Sequence, residues 1–448
     1  MVSLTAALRG VKRCIGQVLS RTAIELACER HGHSFRSGPL DPPNTVQLFV
    51  RQVVEGNVAG TAVVRLAGGR FTDPAWCQAR QRLPLAVLRD LSEQVRDRLR
   101  QSYPASDKFR WHGHRVALID GSNFSMPDTP DVRKYFGEVP GQKPGCGFPI
   151  AHWLAVFDFH SGVLLYDEVS AYCTPDLKHT PEAHQALEPG TVLLGDDSFA
   201  GYVHLALALQ RGLHGIFPAH HARIVEFKTR RKASPPAESA PTSRRVRTLG
   251  HNDQIVELSK PKTRPKWLSK EVFDSLPATI EVREIRRTVR RKGFRPRQVT
   301  VVTTLLDPKE YPAGEVVAMR ERRWDVETDI RHLKTTMGME VLRCKTAQGV
   351  LKELAVFGIV YNLVRGVMLE SARRQQASPT RLSFADGLAW LCHADDGHEW
   401  PTLKIVPLRP GRIEPRAVKR RPKPFGLMNR PRAEMRQRAR EKLGGRIT

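Results

Sequence analysis

Residues 191–217 read TVLLGDDSFAGYVHLALALQRGLHGIF, and this stretch decides the fold class. Thr191–Leu194 is a short apolar run of the kind buried inside a sheet, and Gly215–Phe217 is a second. Between them Tyr202–Gln210 has the length and apolar content of a helix. Strand, helix, strand is the order of an α/β sheet with helices on its faces. Asp196 then stands at the carboxyl end of its strand, where such sheets place ligands. Upstream, the wholly apolar Val116-Ala117-Leu118-Ile119 delivers Asp120 in the same way. Trp153–Phe159 and Val163–Val169 read as two further strands, joined through His160-Ser161-Gly162, a hairpin turn.

A third acid belongs with these two. Tyr311–Met339 is expected to form one long helix with Val326, Ile330, Leu333 and Met337 on its apolar face. Arg323, Glu327 and Lys334 lie on an adjoining face. Acids placed where strands and helices meet a cleft suit a preorganised divalent-metal site. Two such ions can activate a water or a 3′-hydroxyl and stabilise the leaving oxygen of a phosphodiester. Each residue alone also has an ordinary reading. An Asp after a strand often only caps a turn, Arg323–Glu327 could be a surface pair worth ~0.3–0.5 kcal/mol, and Lys334 could be merely solvated. Asp197 competes with Asp196 for the ligand role.

Composition points to a polyanionic partner. The 448 residues carry a formal net charge of +26, and 40% of them are hydrophobic. Such a chain can build two or three domains with real cores, and its charge fits nucleic acid. No apolar stretch reaches the ~20 residues expected of a membrane span, and the N-terminal segment lacks the apolar centre of a signal peptide. The seven cysteines form no CxxC pair, which argues against a zinc ribbon or a disulfide framework and fits a reducing cytosol. Cys28-x-x-His31-x-His33 has no second ligand pair nearby and reads as an ordinary helix end.

The domain organisation follows from shifts in pattern. Residues 1–105 read as an all-helical N-terminal domain, with helices at Thr22–Arg30, Asn44–Val54 and Pro84–Gln101. It is either a DNA-binding bundle of helix-turn-helix type, with Arg80 and Arg82 on phosphate, or a purely structural bundle. Residues 112–220 and 299–395 form the mixed α/β core, with Ala355–Leu369 as a buried helix. Residues 221–298 interrupt it. Over 221–300 there are 21 Lys/Arg against 8 acids, with strands expected at Gln254–Leu258, Thr279–Arg286 and Gln298–Leu305. This is a basic, β-rich insertion. Residues 396–448 are a cationic tail, with 15 Lys/Arg against 3 Glu from position 401 onward.

On these residues the chain resembles the DDE transposases of bacterial insertion sequences, in the family typified by insertion sequence 4. Arg323-x3-Glu327-x6-Lys334 is similar to that family's YREK signature, although Arg320 stands at the Tyr position. Asp120-Gly121-Ser122 and Gly195-Asp196-Asp197-Ser198-Phe199 resemble its first two catalytic motifs, with Asp197 where an Arg is common. The stretch 416–423, which contains Lys419, Arg420 and Arg421, is similar to its C-terminal block. The resemblance implies an RNase H-like catalytic core with a β-strand insertion before the glutamate helix. It implies Mg²⁺ or Mn²⁺ held by Asp120, Asp196 and Glu327, and DNA cleavage and strand transfer at terminal inverted repeats. Arg323 and Lys334, together with Arg320, would contact DNA phosphate, which suits a guanidinium fork and a point charge. Lys419, Arg420 and Arg421 would bind DNA through the tail. In relatives that pass through a DNA hairpin an aromatic residue of the insertion holds a flipped base, which makes Trp267 the candidate here. Packing of Trp267 on the insertion's own sheet is equally open. Double-stranded DNA (the inverted repeats and the target) is the expected partner, with a homodimer at paired ends, no membrane, and a cytoplasmic, nucleoid-associated location. Two other readings remain: an RNase H-like nuclease without strand transfer, and a catalytically inactive DNA-binding relative.

Overall fold

A computed structural model gives the fold, and it describes residues 19–102, 109–140, 145–227, 243–290, 295–393, 400–407 and 430–442. The expected α/β class is found. Among the described residues one sheet of nine strands runs through the molecule, in the order β3-β2-β1-β4-β5-β9-β8-β7-β6. The strands are β1 Val116–Ser125, β2 Ile150–Asp158, β3 Leu164–Ala171, β4 Val192–Leu194, β5 His214–Pro218, β6 Arg244–Gly250, β7 Asp253–Ser259, β8 Thr279–Val289 and β9 Arg297–Thr303. β1, β4 and β5 are parallel, whereas β1–β2, β2–β3 and all pairs from β5 to β6 are antiparallel.

The basic stretch does not build a sheet of its own. β9 pairs with β5, and β8, β7 and β6 continue outward from it, so these strands extend the core sheet. β6, the outermost, carries Arg244, Arg245 and Arg247. It was not legible as a strand because its arginines alternate with too few apolar residues to mark a buried face. β7 and β8 are stitched by Arg283, which is fully buried. Its Nε donates to Asp253 Oδ1 at 2.8 Å and its Nη1 to the Tyr311 carbonyl at 2.6 Å. The second carboxylate oxygen of Asp253 takes the other fork at 2.5 Å. A buried charge held this way is paired on every side.

The helix Ala347–Gln375 runs through the centre. It is long and apolar enough to cross a membrane, contrary to the expectation that no stretch would be, yet 94% of its most apolar window is buried inside the protein. Its apolar surface is covered on all sides by helices Leu85–Ser102, Pro42–Val54 and Phe384–His393 and by β3. It is a core helix.

The N-terminal helices expected at Thr22–Arg30, Asn44–Val54 and Pro84–Gln101 form at Arg21–Arg30, Pro42–Val54 and Leu85–Ser102, and two more, Gly60–Leu66 and Asp73–Arg82, lie between them. Asp41 and Thr72 cap two of them by accepting from Asn44 N and Ala75 N. They share the core of the central helix and are tied to it by polar contacts. Asn57 Nδ2 donates to Glu353 Oε1 at 2.6 Å, and Lys352 Nζ to the Gln81 carbonyl at 2.8 Å. Arg80 is not a phosphate contact. It is buried, its guanidinium lies 5.3 Å from the Phe49 ring and 5.2 Å from that of Trp76, and it reaches Cys344 Sγ at 3.4 Å. The aromatic residues around it make a place for its charge inside the bundle. Arg82 is exposed.

The long helix expected over Tyr311–Met339 is broken. It consists of Ala313–Glu321, a tight turn Arg322–Trp324, the helix Asp325–Arg331 and a π-helical turn His332–Thr336. Val326, Ile330, Leu333 and Met337 are nonetheless all buried. The π turn ends the segment, closing through Met337 N to the His332 carbonyl at 2.9 Å.

Candidate active site

The two aspartates are aligned by strand register. Leu118 of β1 faces Leu194 of β4 as the last parallel pair, and Asp120 and Asp196 each lie two residues beyond it. Residues two apart on a strand point to the same side, so both carboxylates emerge from one face where β4 stops. β1 itself does not end at Ile119. It continues to Ser125 in partnership with β2, and Asp120 pairs with Ala155 there. Gly195 is required by the approach: a Cβ at that position would lie 2.7 Å from the Phe199 ring and 3.0 Å from Ile119.

Asp120 is largely buried, with a side chain 16% exposed. Its Oδ1 accepts from the Gly121 amide at 2.9 Å and its Oδ2 from Arg323 Nη1 at 3.2 Å. Burial pushes its carboxyl up to about 6 despite the opposing Arg323, and the nearby charges of Asp196 and Asp176 add to the rise. Asp196 spends Oδ1 on capping the turn Asp197–Ala200, accepting from Ser198 N at 2.9 Å and Ser198 Oγ at 2.5 Å. Its Oδ2 has no hydrogen-bond partner among the described residues.

Glu327 comes from the other side. Its helix is fixed in rotation by Val326 and Ile330 in the core and by Asp329, which pairs with the buried Arg365 of the central helix. Tyr361 Oη anchors that pair in turn, accepting from Arg365 Nε at 2.9 Å and donating to the Gly162 carbonyl at 2.8 Å. Glu327 therefore faces outward, 45% exposed, and its Oε1 accepts from Arg323 Nη2 at 3.2 Å. One guanidinium thus joins Asp120 of the sheet to Glu327 of the helix.

Lys334 closes the far end, donating to the Asn123 carbonyl at 2.8 Å and to Ser122 Oγ at 3.2 Å, with Glu340 at 3.5 Å. Arg320 is turned to Glu321 at 2.6 Å, which also receives Arg297 of β9, and its Nε is buried without a partner among the described residues. Trp267 is half-buried and packs against the core. Lys419, Arg420 and Arg421 lie outside the described residues.

Some members of this environment were not read from sequence. Asp176 opens a short turn after β3 and lies against Gly121, where any Cβ would collide with its carboxylate. It is hydrogen-bonded to His152 Nε2, and His152 Nδ1 meets Asn123 Oδ1 at 2.8 Å. The chain of contacts runs from Asp120 past Asp176 and His152 to the strand that Lys334 grips. A lone loop aspartate gives no spacing signal, and only Gly121 hinted at a close approach. Trp324, 52% exposed with Arg323 lying 5.4 Å from its ring centre, was likewise passed over.

Residues 111–363, which hold all three carboxylates, Arg323 and Lys334, match the transposase DDE domain family. The chain belongs to this family. It is 27% identical over 386 residues to the transposase InsG for insertion sequence element IS4 of Escherichia coli (strain K12), covering 80% of this chain and 79% of that one. Together these place it with the IS4-type DDE transposases, enzymes that act on DNA. Among solved structures, a piggyBac transposase synaptic complex with hairpin DNA is similar at a TM-score of 0.39 and 10% identity, over 88% of this chain and 80% of that one. A likeness of that size does not define the fold of this transposase.

Proposed function

We propose that Asp120, Asp196 and Glu327 form the catalytic metal site of this transposase, and that it cuts and joins DNA at the terminal inverted repeats of its element. The observation that carries this reading is the single Arg323 guanidinium spanning Asp120 and Glu327, with Asp196 register-matched to Asp120. The donor set fits the group. Three carboxylates are hard oxygen ligands suited to Mg²⁺ or Mn²⁺, and Asp120, raised chiefly by burial and further by the charges of Asp196 and Asp176, is a carboxylate that a bound cation would stabilise in its ionised form. When bound, such ions supply an activated water or 3′-hydroxyl and stabilise the leaving oxygen. The chain's own residues do the rest. Arg323 and Lys334 hold phosphate beside the carboxylates, Asp176 and His152 position the Asp120 strand, and Ser198 orients Asp196. Arg320, Trp267, Lys419, Arg420 and Arg421 complete the proposed DNA-facing set.

The mixed run β3-β2-β1-β4-β5, with helices on it, supports an RNase H-like core made of 112–220 and 299–395. In this reading 221–298 is an insertion between the second and third carboxylates, 1–105 an N-terminal DNA-binding domain and 396–448 a basic tail. Two ends brought together call for two active sites, and hence a homodimer. The net charge of +26 suits a cytoplasmic protein held on the nucleoid.

The test is to incubate the full chain with a linear duplex carrying the DNA that flanks its coding region, a target plasmid, and Mg²⁺ or Mn²⁺, and to sequence the products. Cleavage at the repeat ends with joining to target is expected. Cleavage without joining would replace this reading by that of a nuclease, and binding without cleavage by that of an inactive binder.

A further inference from the structure

A second group of donors sits beside the carboxylate site and does not belong to it. Asp197, His220 and His221 each present a ligand atom, and these atoms all lie within 4.8 Å of one another. Topology brings them together. Asp197 opens the turn after β4, His220 and His221 follow β5, and β4 and β5 are parallel neighbours, so both segments leave the same edge of the sheet. The histidine loop is held at both ends. Ala219 N donates to the Thr300 carbonyl at 2.9 Å, and Arg223 Nη2 lies 2.8 Å from the buried Glu284. Between these anchors Arg223 N closes a turn on the His220 carbonyl at 2.8 Å, which presents both imidazoles on one side. Asp197 Oδ2 already faces His221 Nδ1 at 3.4 Å.

We propose that Asp197, His220 and His221 bind a transition-metal ion of the zinc class, distinct from the ions of the carboxylate site. Two imidazoles with one carboxylate suit Zn²⁺, Co²⁺ or Ni²⁺, whereas Mg²⁺ prefers oxygen alone. Donors about 2 Å from one ion lie roughly 3.3 Å apart, so the group must contract from its present spacing. His221 is free to swing, its side chain being 82% exposed, and its Nδ1 already lies 3.4 Å from Asp197 Oδ2, close to that spacing. Three protein ligands leave an open coordination position. A DNA phosphate oxygen can take that position. In sequence the only sign was the tandem His220-His221 directly after the β5 strand.

The test uses Zn²⁺ itself and the full chain with Asp120→Asn and Glu327→Gln, which weakens the carboxylate site. Equilibrium dialysis should retain one Zn²⁺ per chain, and Co²⁺ should give the visible absorption of a nitrogen-ligated ion. Adding His220→Ala and His221→Ala should lower Zn²⁺ affinity at least tenfold and abolish that absorption. A short duplex should raise Zn²⁺ retention if phosphate fills the open position, and unchanged retention would remove that role. Zn²⁺ binding unaltered by the histidine substitutions, or no Zn²⁺ retained above the level of the histidine variant, overturns the site. Failure of the carboxylate reading would appear instead as DNA cleavage by the Asp120→Asn protein, which leaves this measurement untouched.

Discussion

Asp120→Asn should stabilise the protein at neutral and alkaline pH, an unusual outcome for a change in a buried strand. The carboxyl is raised from an ordinary 3.8 to about 6, chiefly by burial. A raised acid binds its proton more tightly in the native state than in the unfolded chain. Its contribution therefore favours folding below the unfolded value and is lost as pH rises through about 6. A rise of that size corresponds to a ceiling of about 3 kcal/mol. Asparagine keeps the shape, cannot ionise, and leaves Arg323 its second partner, Glu327. Denaturant unfolding at pH 8 should place the variant above the parent by some part of that ceiling, with the gap closing by pH 4. Saturating Mg²⁺ at ~100-fold its dissociation constant would return ~2.7 kcal/mol to the parent alone. A variant less stable than the parent by the same amount at both pH values would refute the reasoning and make Asp120 a satisfied structural carboxylate.

Other substitutions probe the supports. Gly121→Ala should push Asp176 off the Asp120 strand and slow DNA cleavage, while circular dichroism and DNA binding stay near those of the parent; unchanged turnover would show that Asp176 positions nothing. Arg283→Met leaves Asp253 buried and unpaired and should cost about 3–5 kcal/mol by denaturant titration, most of it regained on adding Asp253→Leu. Trp267→Ala should separate base capture from packing. Normal nicking of an end substrate with slowed hairpin steps would favour capture, whereas equal loss at every step with a lower Tm would make it a packing residue.

Much of the frame was legible because apolar runs have only one place to go. Val116–Ile119 and Thr191–Leu194 could only be buried strands, and the acid following each was visible in the chain. The buried face Val326, Ile330, Leu333 and Met337 was legible too, but not the breaks around it. The π turn at His332–Thr336 depends on how that face meets β1 and the central helix, which no local pattern carries. β6 was missed because an edge strand with Arg244, Arg245 and Arg247 among its seven residues shows no buried apolar face. Arg80 was misplaced because a cation packed on the rings of Phe49 and Trp76 looks, in sequence, like any solvated arginine. Asp176 and His152 escaped since their roles arise from contacts between segments far apart in the chain. Asp120, Asp196 and Glu327 were grouped from their places in the chain and from the resemblance; the register of β1 on β4 aligns only the two aspartates, and Glu327 meets Asp120 through Arg323.

The central claim is that these three carboxylates act as one metal site for DNA phosphoryl transfer. The direct measurement is single-turnover cleavage of a labelled element-end duplex by the Asp120→Asn, Asp196→Asn and Glu327→Gln proteins, alongside their binding to the same duplex. Amides preserve shape but remove the charge that offsets two divalent ions. Each variant should bind the end about as well as the parent and cut it at no measurable rate in Mg²⁺ or Mn²⁺. Full cleavage and transfer by the Asp196→Asn protein would move the ligand to Asp197, and by either of the others would contradict the triad.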